Sequence, residues 1–449
     1  MRLRLPNPLS LRAALALRPA QALRPPLAFT LLTTATLLLV PALLLLSFPR
    51  RTATGLERLM PAAALLQSFA VQPAQPPPPL WVQRLGPASA GRLWAAQRRL
   101  WWQFWGAHGD AGAYLVLSAP ASLPLPANSL RLDDLVVVAP DPLARQLLQE
   151  QLRARRRPPR GLALRCTQHL RQRQAVHWNG GAMGQMLGPL ASLAQDLQQG
   201  CLVLSSQGRS LLWQGEADGS EGALGAAPAS LPVPTVAPLA GDQLLELRGR
   251  RLELLLRGLL ASPVLRQSLA QTYGLGPVPL RQLQASPFQL RLQAVPKGPF
   301  LAGLQLQLTA GSGRPVLERW LKDLSGALED QGLAATQPLP GITGWSREDG
   351  TLLGGWRWLP QGQLLLFLGP VPTRIPAGLP LTESAWRLRL QPAAMATAGL
   401  LPSGLPPVVQ RSQQLELIGL PLGQRSGERR SSLAGRLELR AAGSASAPR

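Results

Sequence analysis

The sequence predicts an α+β protein: an N-terminal single transmembrane helix, then two α+β domains with largely antiparallel sheets covered by amphipathic helices. Three observations carry that expectation. Apolar and polar residues alternate in several segments, as in strands with one buried face. Leucine stripes at helical spacing supply the covering layer. An uncharged apolar run near the N-terminus is long enough to cross a bilayer.

That run is Leu27 to Phe48, LAFTLLTTATLLLVPALLLLSF. At helical rise it extends ~33 Å, enough to span a hydrocarbon core with slight tilt. Thr30, Thr33, Thr34 and Thr36 can return their hydroxyls to the backbone, and Pro41 kinks such a helix without ending it. A cleavable signal peptide fits less well. The run exceeds the ~7–15 apolar residues of such peptides, and no small-x-small site follows it. Arg2, Arg4, Arg12, Arg18 and Arg24 precede the run without an acid, whereas Arg50, Arg51 and Arg58 follow it beside Glu57. The bias places the N-terminus in the cytoplasm and the bulk of the chain on the extracytoplasmic side, as in a cell-envelope protein. An arginine-rich, acid-free start also suits an organellar transit segment.

Composition shifts divide the chain further. Residues 1–26 form a basic tail, and residues 49–79 read as a stalk. Within the stalk a helical-looking stretch, Leu56 to Phe69, leads into the stiff proline run Pro73 to Pro79. A first α+β domain spans 80–218, a Gly/Ala/Pro linker 219–240, a second α+β domain 241–440, and a disordered tail 441–449.

In the first domain Leu135 to Ala139 reads as a buried strand, and Asp141-Pro142 opens a helix through Arg156. The alternation of Leu162, Leu164 and Cys166 suggests a second strand. Met183 to Leu197 lie along one helical face, and the segments Cys201–Leu204 and Leu211–Trp213 flank a hairpin turn. The second domain opens on a helical pattern from Leu244 to Tyr273, broken at Pro263. Strands then follow around Leu304–Leu308, Leu364–Leu368, Trp386–Leu390 and Leu437–Leu439. Leu317, Trp320, Leu321, Leu324 and Leu328 mark the helix that covers their dry face. The strand–helix order at Leu135–Arg156 and Leu304–Asp330 hints at two related units, without enough identities for a sequence repeat.

The 46% hydrophobic content excludes a natively disordered chain. A formal charge of +23 suggests an anionic partner such as nucleic acid, but almost all of it is arginine; Lys297 and Lys322 are the only lysines. Isoleucine and asparagine are equally scarce, so GC-rich codon usage explains much of the imbalance. Nucleic acid is therefore an unlikely partner.

Cys166, His169, His177 and Cys201 contain conceivable zinc ligands, but their spacing matches no short-loop pair, and no metal or other cofactor is expected. A disulfide between Cys166 and Cys201 on the oxidising side of a membrane is the better reading, with two buried free thiols as the alternative to it. No nucleophile elbow, zinc-protease helix, phosphate loop or dinucleotide fingerprint occurs. Asp133-Asp134 suits a turn better than acid–base work.

One stretch points to interaction. Residues 91–109 read as a helix with Trp94, Trp101 and Trp105 on one side, Trp102 nearby, and Arg98 and Arg99 among the polar positions. Indoles and guanidinium groups together suit a membrane interface or a partner surface; core packing produces a similar pattern. The expectation is a membrane-anchored, non-enzymatic module that binds the lipid bilayer and a protein or lipid partner at its surface. A hydrolase with a site assembled from distant residues is the alternative, and nucleic-acid binding through an arginine surface that includes Arg153 to Arg160 and Arg248 to Arg257 is the second.

Overall fold

The computed structural model describes residues 52–98, 100–106, 112–119, 126–154, 158–179, 197–218, 231, 233–234, 239, 241–253, 255–256, 260, 262–295, 298–373, 386–401, 407–422 and 430–439, together with Leu37. The chain divides into two compact units, Met1–Thr52 and Ala53–Arg449, and every described strand belongs to the second. Apart from Leu37, the apolar run 27–48 lies outside the described residues, as do Met183 and Met186 of the expected helix. Among the described residues no helix is long and apolar enough to cross a membrane.

The second unit mixes helices with a large antiparallel sheet. Its first eight strands are β1 (Ala63–Ala70), β2 (Leu100–Gly106), β3 (Tyr114–Ser118), β4 (Ser129–Leu132), β5 (Leu135–Val138), β6 (Ala175–Trp178), β7 (Gln199–Gln207) and β8 (Ser210–Asp218). Ten more follow: β9 (Gln243–Gly249), β10 (Phe288–Ala294), β11 (Ala302–Thr309), β12 (Ala334–Thr336), β13 (Thr343–Ser346), β14 (Leu352–Leu359), β15 (Gln363–Leu368), β16 (Trp386–Leu390), β17 (Ser412–Leu422) and β18 (Arg430–Leu439). The principal helices are α1 (Leu56–Leu59), α2 (Pro79–Leu85), α3 (Pro87–Ala96), α4 (Pro142–Ala154), α5 (Gly161–Gln172), α6 (Pro263–Tyr273), α7 (Pro277–Ala285) and α8 (Arg314–Glu329).

All strand pairs are antiparallel, and they join in one line: β4-β5-β3-β2-β1-β6-β7-β8-β18-β17-β16-β9-β10-β11-β15-β14-β13-β12. The order repeats itself. Outward from the β8–β18 seam, β8-β7-β6-β1-β2-β3-β5-β4 matches β18-β17-β16-β9-β10-β11-β15-β14, strand for strand in chain order. Each half also places a helix pair between its first two strands, α2–α3 in one and α6–α7 in the other. The halves thus share a topology, related by a local pseudo-twofold at the seam. The segments that hint at repetition in the sequence are not the equivalent ones. The β5–α4 unit and the β11–α8 unit occupy different steps of the common path, because each half carries its extra helices at a different connection.

Four local readings change. Residues 161–172 are helical, since Leu162, Cys166 and Leu170 recur every four residues and form one buried stripe. Residues 243–249 form β9 instead of the start of a helix; Leu245 and Leu247 alternate with Glu246 and Arg248 across the sheet. Helical backbone follows at 253 and 255–256, and α6 begins after Ser262, whose hydroxyl accepts from the Leu265 amide, and ends at left-handed Gly274. The stretch Leu56–Phe69 holds the short α1 and a 3-10 turn, Met60–Ala62, before β1, which lies inside the sheet between β2 and β6. Of residues 91–109, 91–96 are helical as the end of α3 and 100–106 form β2, whereas 99 and 107–109 lie outside the described residues.

The first half is a three-layer sandwich. On one face Leu66, Trp102, Phe104 and Val137 pack with Leu148, Leu152, Leu162 and Leu170 of α4 and α5. On the other, Trp101, Leu115 and Val136 pack with Trp81 and Trp94 of α2 and α3. In the second half Leu290, Leu306, Leu308 and Leu364 pack with Leu283 of α7 and with Leu317, Trp320 and Leu321 of α8. Near the seam, glycines seat aromatic rings: Trp178 lies over its cross-strand partner Gly200, Trp386 over Gly419, and Trp213 over Gly435. A Cβ built on Gly419 falls 2.2 Å from the Trp386 ring. Gly419→Ala is therefore expected to destabilise the protein by about 1–3 kcal/mol through overpacking. Urea unfolding monitored by tryptophan fluorescence measures it, and an unchanged midpoint would refute the ring-seat account.

Candidate functional site

The opposite face of the second half is polar. Directly opposed residues of an antiparallel pair share a face. One row across the sheet reads Gln305–Arg291–Glu246–Arg389–Glu416–Arg436, from β11 through β10, β9, β16 and β17 to β18. Charges alternate in sign along it. The adjacent row reads Gln307–Gln289–Arg248–Arg387–Ile418–Ala434. These rows follow from the strand sequences: Leu-Glu-Leu-Arg in β9, Gln-Leu-Arg-Leu in β10 and Arg-Leu-Arg-Leu in β16 place every charge on one side and every leucine on the other.

Two buried carboxylates organise the face. Glu246 is 2% exposed and accepts from Arg248 Nη2 at 2.5 Å, Arg291 Nη2 at 3.2 Å and Arg389 Nε at 2.9 Å, as well as from the Gln289 amide. Burial alone raises a carboxyl pKa, but these guanidinium bonds outweigh it and hold Glu246 below the ordinary value. Glu416 is fully buried and accepts from Arg387 through one oxygen only. There burial prevails over Arg387 and pushes the pKa up. The two carboxylates of one row thus lean in opposite directions.

The polar satisfaction is incomplete. Arg248 Nε, Arg291 Nε, Gln289 Oε1 and Glu416 Oε2 are buried without a hydrogen-bond partner among the described residues. The arginine side chains are nonetheless reachable from solvent, with Arg248 at 23% and Arg387 at 31% relative exposure. The same face continues across the seam to β8, where Glu216 accepts two 2.7 Å bonds from Arg165 of α5.

The expected site residues lie elsewhere. Trp94 and Trp101 are buried with Trp81, their rings meeting edge-on at centroid distances of 5.1, 5.9 and 6.4 Å. Trp102 is buried on the other face and donates to the Leu170 carbonyl at 2.8 Å. Trp105 is half-buried, Arg98 is exposed, and the side chain of Arg99 is outside the described residues. The structure therefore does not place Trp94, Trp101 and Trp105 along one side of one helix. The sulfurs of Cys166 on α5 and Cys201 on β7 stand at disulfide distance, with Cα atoms 5.6 Å apart. A pair so committed leaves no thiolate for the zinc set with His169 and His177. Among the described residues no three His, Cys, Asp or Glu side chains are placed to hold a metal ion. Asp133 serves the turn between β4 and β5 and accepts from the Gly55 amide at 2.6 Å.

His177 sits beside this pair as the cross-strand partner of Cys201 and is buried. Burial lowers its pKa from 6.5 to about 4. The unfolded chain therefore binds a proton before the folded one does. The associated stability is full above pH 6.5 and is lost as pH falls towards 4, a difference of about 3 kcal/mol. His177→Leu is expected to flatten urea midpoints measured across that window; an equally steep profile would assign the loss to other groups.

The residues that line the polar face were only partly marked by sequence: Arg387 and Arg389 read as wet positions of a strand, but Glu246 and Arg248 were hidden in a helical pattern. Their cross-strand register is the missing signal, because it depends on pairing between segments more than a hundred residues apart, as with Glu246 and Arg389 at a separation of 143. No family model, no curated protein and no solved structure matches this chain.

Proposed function

We propose that the chain is a single-pass membrane-anchored, non-enzymatic module that binds a protein or lipid partner at the membrane surface through the arginine face of its second half. The observation that carries the reading is the buried charge ladder with its unpartnered donors and acceptors. Burying such groups costs stability compared with an apolar layer, so a fold that keeps them gains something else, namely recognition. The apolar run 27–48 supports the anchor, with the basic N-terminal tail on the cytoplasmic side and the body outside. The Cys166–Cys201 pair supports an oxidising compartment for the body. After the apolar run, the body comprises two α+β halves of one sheet, the first carrying β1 to β8 and the second β9 to β18.

Three measurements test this. Reporters fused after Phe48 and at the C-terminus should both report the extracytoplasmic side. The full chain should resist alkaline carbonate extraction, and washing off would end the anchored reading. In-membrane crosslinking should capture a partner from wild type and lose it in Arg387→Glu; equal capture by both would remove the arginine face from the proposal.

A further inference from the structure

We infer that Arg248, Arg291, Arg387 and Arg389 form a receptor for a tetrahedral anion that retains a hydroxyl, hydrogen phosphate or a singly protonated phosphate monoester. This deepens the reading above and rests on it only for the ligand's setting at a membrane. Charge comes first. Four guanidinium groups face two carboxylates, Glu246 and Glu416, so two positive charges lack a counter-charge within the cluster. Glu246 is shared by Arg248, Arg291 and Arg389, and Glu416 is engaged by Arg387. Moreover, Arg248 and Arg387 are direct cross-strand partners. Like charges so placed repel and destabilise a sheet. An anion between them turns repulsion into charge-assisted bonds, and guanidinium forks match phosphate oxygens two at a time.

The leftover hydrogen-bonding atoms narrow the chemistry. The Nε–H groups of Arg248 and Arg291 are donors without acceptors, and Gln289 Oε1 and Glu416 Oε2 are acceptors without donors. Gln289 adjoins Arg248 in the same row. A carboxylate ligand satisfies donors only. A phosphate carrying one P–OH group offers oxygens to the arginines and a hydroxyl to an orphaned acceptor, which favours it over an acidic peptide side chain.

The test uses the full chain in neutral detergent, titrated with inorganic phosphate at constant ionic strength and followed by thermal unfolding. Saturable stabilisation by phosphate, absent with equivalent chloride and weakened at least tenfold in Arg248→Gln/Arg387→Gln, is the expected result. Exposed Arg319→Gln should titrate like wild type. No saturable shift, or one undiminished in the double variant, overturns the inference. A soluble short-chain phosphatidic acid forms the second arm. Binding at least tenfold tighter than phosphate assigns a lipid headgroup, and equal binding assigns a free phosphate; both support the shared chemistry. Stronger stabilisation by glutarate than by phosphate overturns it in favour of a carboxylate. Failure here leaves the anchored-module reading standing, because that is decided by extraction and crosslinking.

Discussion

Replacing Glu246 by alanine is expected to cost about 3–5 kcal/mol, among the largest losses available from one side chain in this fold. The carboxylate is 2% exposed and joins arginines from three neighbouring strands, β9, β10 and β16. Its removal leaves three guanidinium groups on a largely buried face without their shared counter-charge. The loss comes from stranded charge more than from missing contacts. Glu246→Gln, which keeps the volume, should therefore recover little of it. Glu318 offers the contrast: it pairs with Arg314 one helical turn away, at 44% side-chain exposure. Its substitution should change stability by less than about 1 kcal/mol. Urea unfolding of the three variants decides the matter, and similar midpoints for Glu246→Ala and Glu318→Ala would show that the ladder is not electrostatically organised. The pH dependence carries the same sign. A carboxylate held below its ordinary value contributes stability present above that value and lost as pH falls through the lowered one. Glu416, raised by burial, contributes in the other sense, stabilising in acid and losing that contribution as pH climbs through its raised value.

Removing the Cys166–Cys201 link is the second large effect. The cysteines are separated by 35 residues, and opening a loop of that size costs about 4 kcal/mol in the chain-entropy account. The paired serine variant should unfold at a correspondingly lower urea concentration. Both cysteines are buried, so reductant should act on the folded protein only as fast as the surrounding region opens. Thiol alkylation followed by mass measurement reads this directly. Rapid labelling of both cysteines in membranes under non-reducing conditions would contradict the pairing and weaken the extracytoplasmic placement with it.

Local patterns were the legible part of this fold. The β11 and β16 alternations, the apolar run of β15, the α8 stripe and the Gln207–Ser210 hairpin all rest on neighbours within a few residues, and all appear where the sequence placed them. Misreadings occurred where one segment satisfied two periods. Leu162, Leu164 and Cys166 alternate as in a strand, yet Leu162, Cys166 and Leu170 also make a helical stripe, and burial against β1 and β2 decided for the helix. Leucine-rich β9 suffered the converse ambiguity. The arginine face was the least legible, because its meaning resides in which strands become neighbours. Arg389 meets Glu246 only after the chain has built β10 through β15 and returned. The Trp94–Trp105 stretch misled for a related reason. Tryptophan spacing does not distinguish a ring that meets other rings in a core from one that meets headgroups, and here the chain passes from helix to strand between Ala96 and Leu100, so that strand alternation sends Trp101 and Trp102 to opposite faces.

The seam between β8 and β18 has a consequence for biogenesis. The strand that closes the middle of the sheet, β18, follows every other described strand in the chain, so an emerging chain holds β8 and β17 as two open edges until β18 is made. Exposed edges invite pairing with the wrong chain, and connections this distant in sequence close slowly. A newly made copy is thus most vulnerable to aggregation just before β18 arrives, and chaperone protection would be needed across that interval.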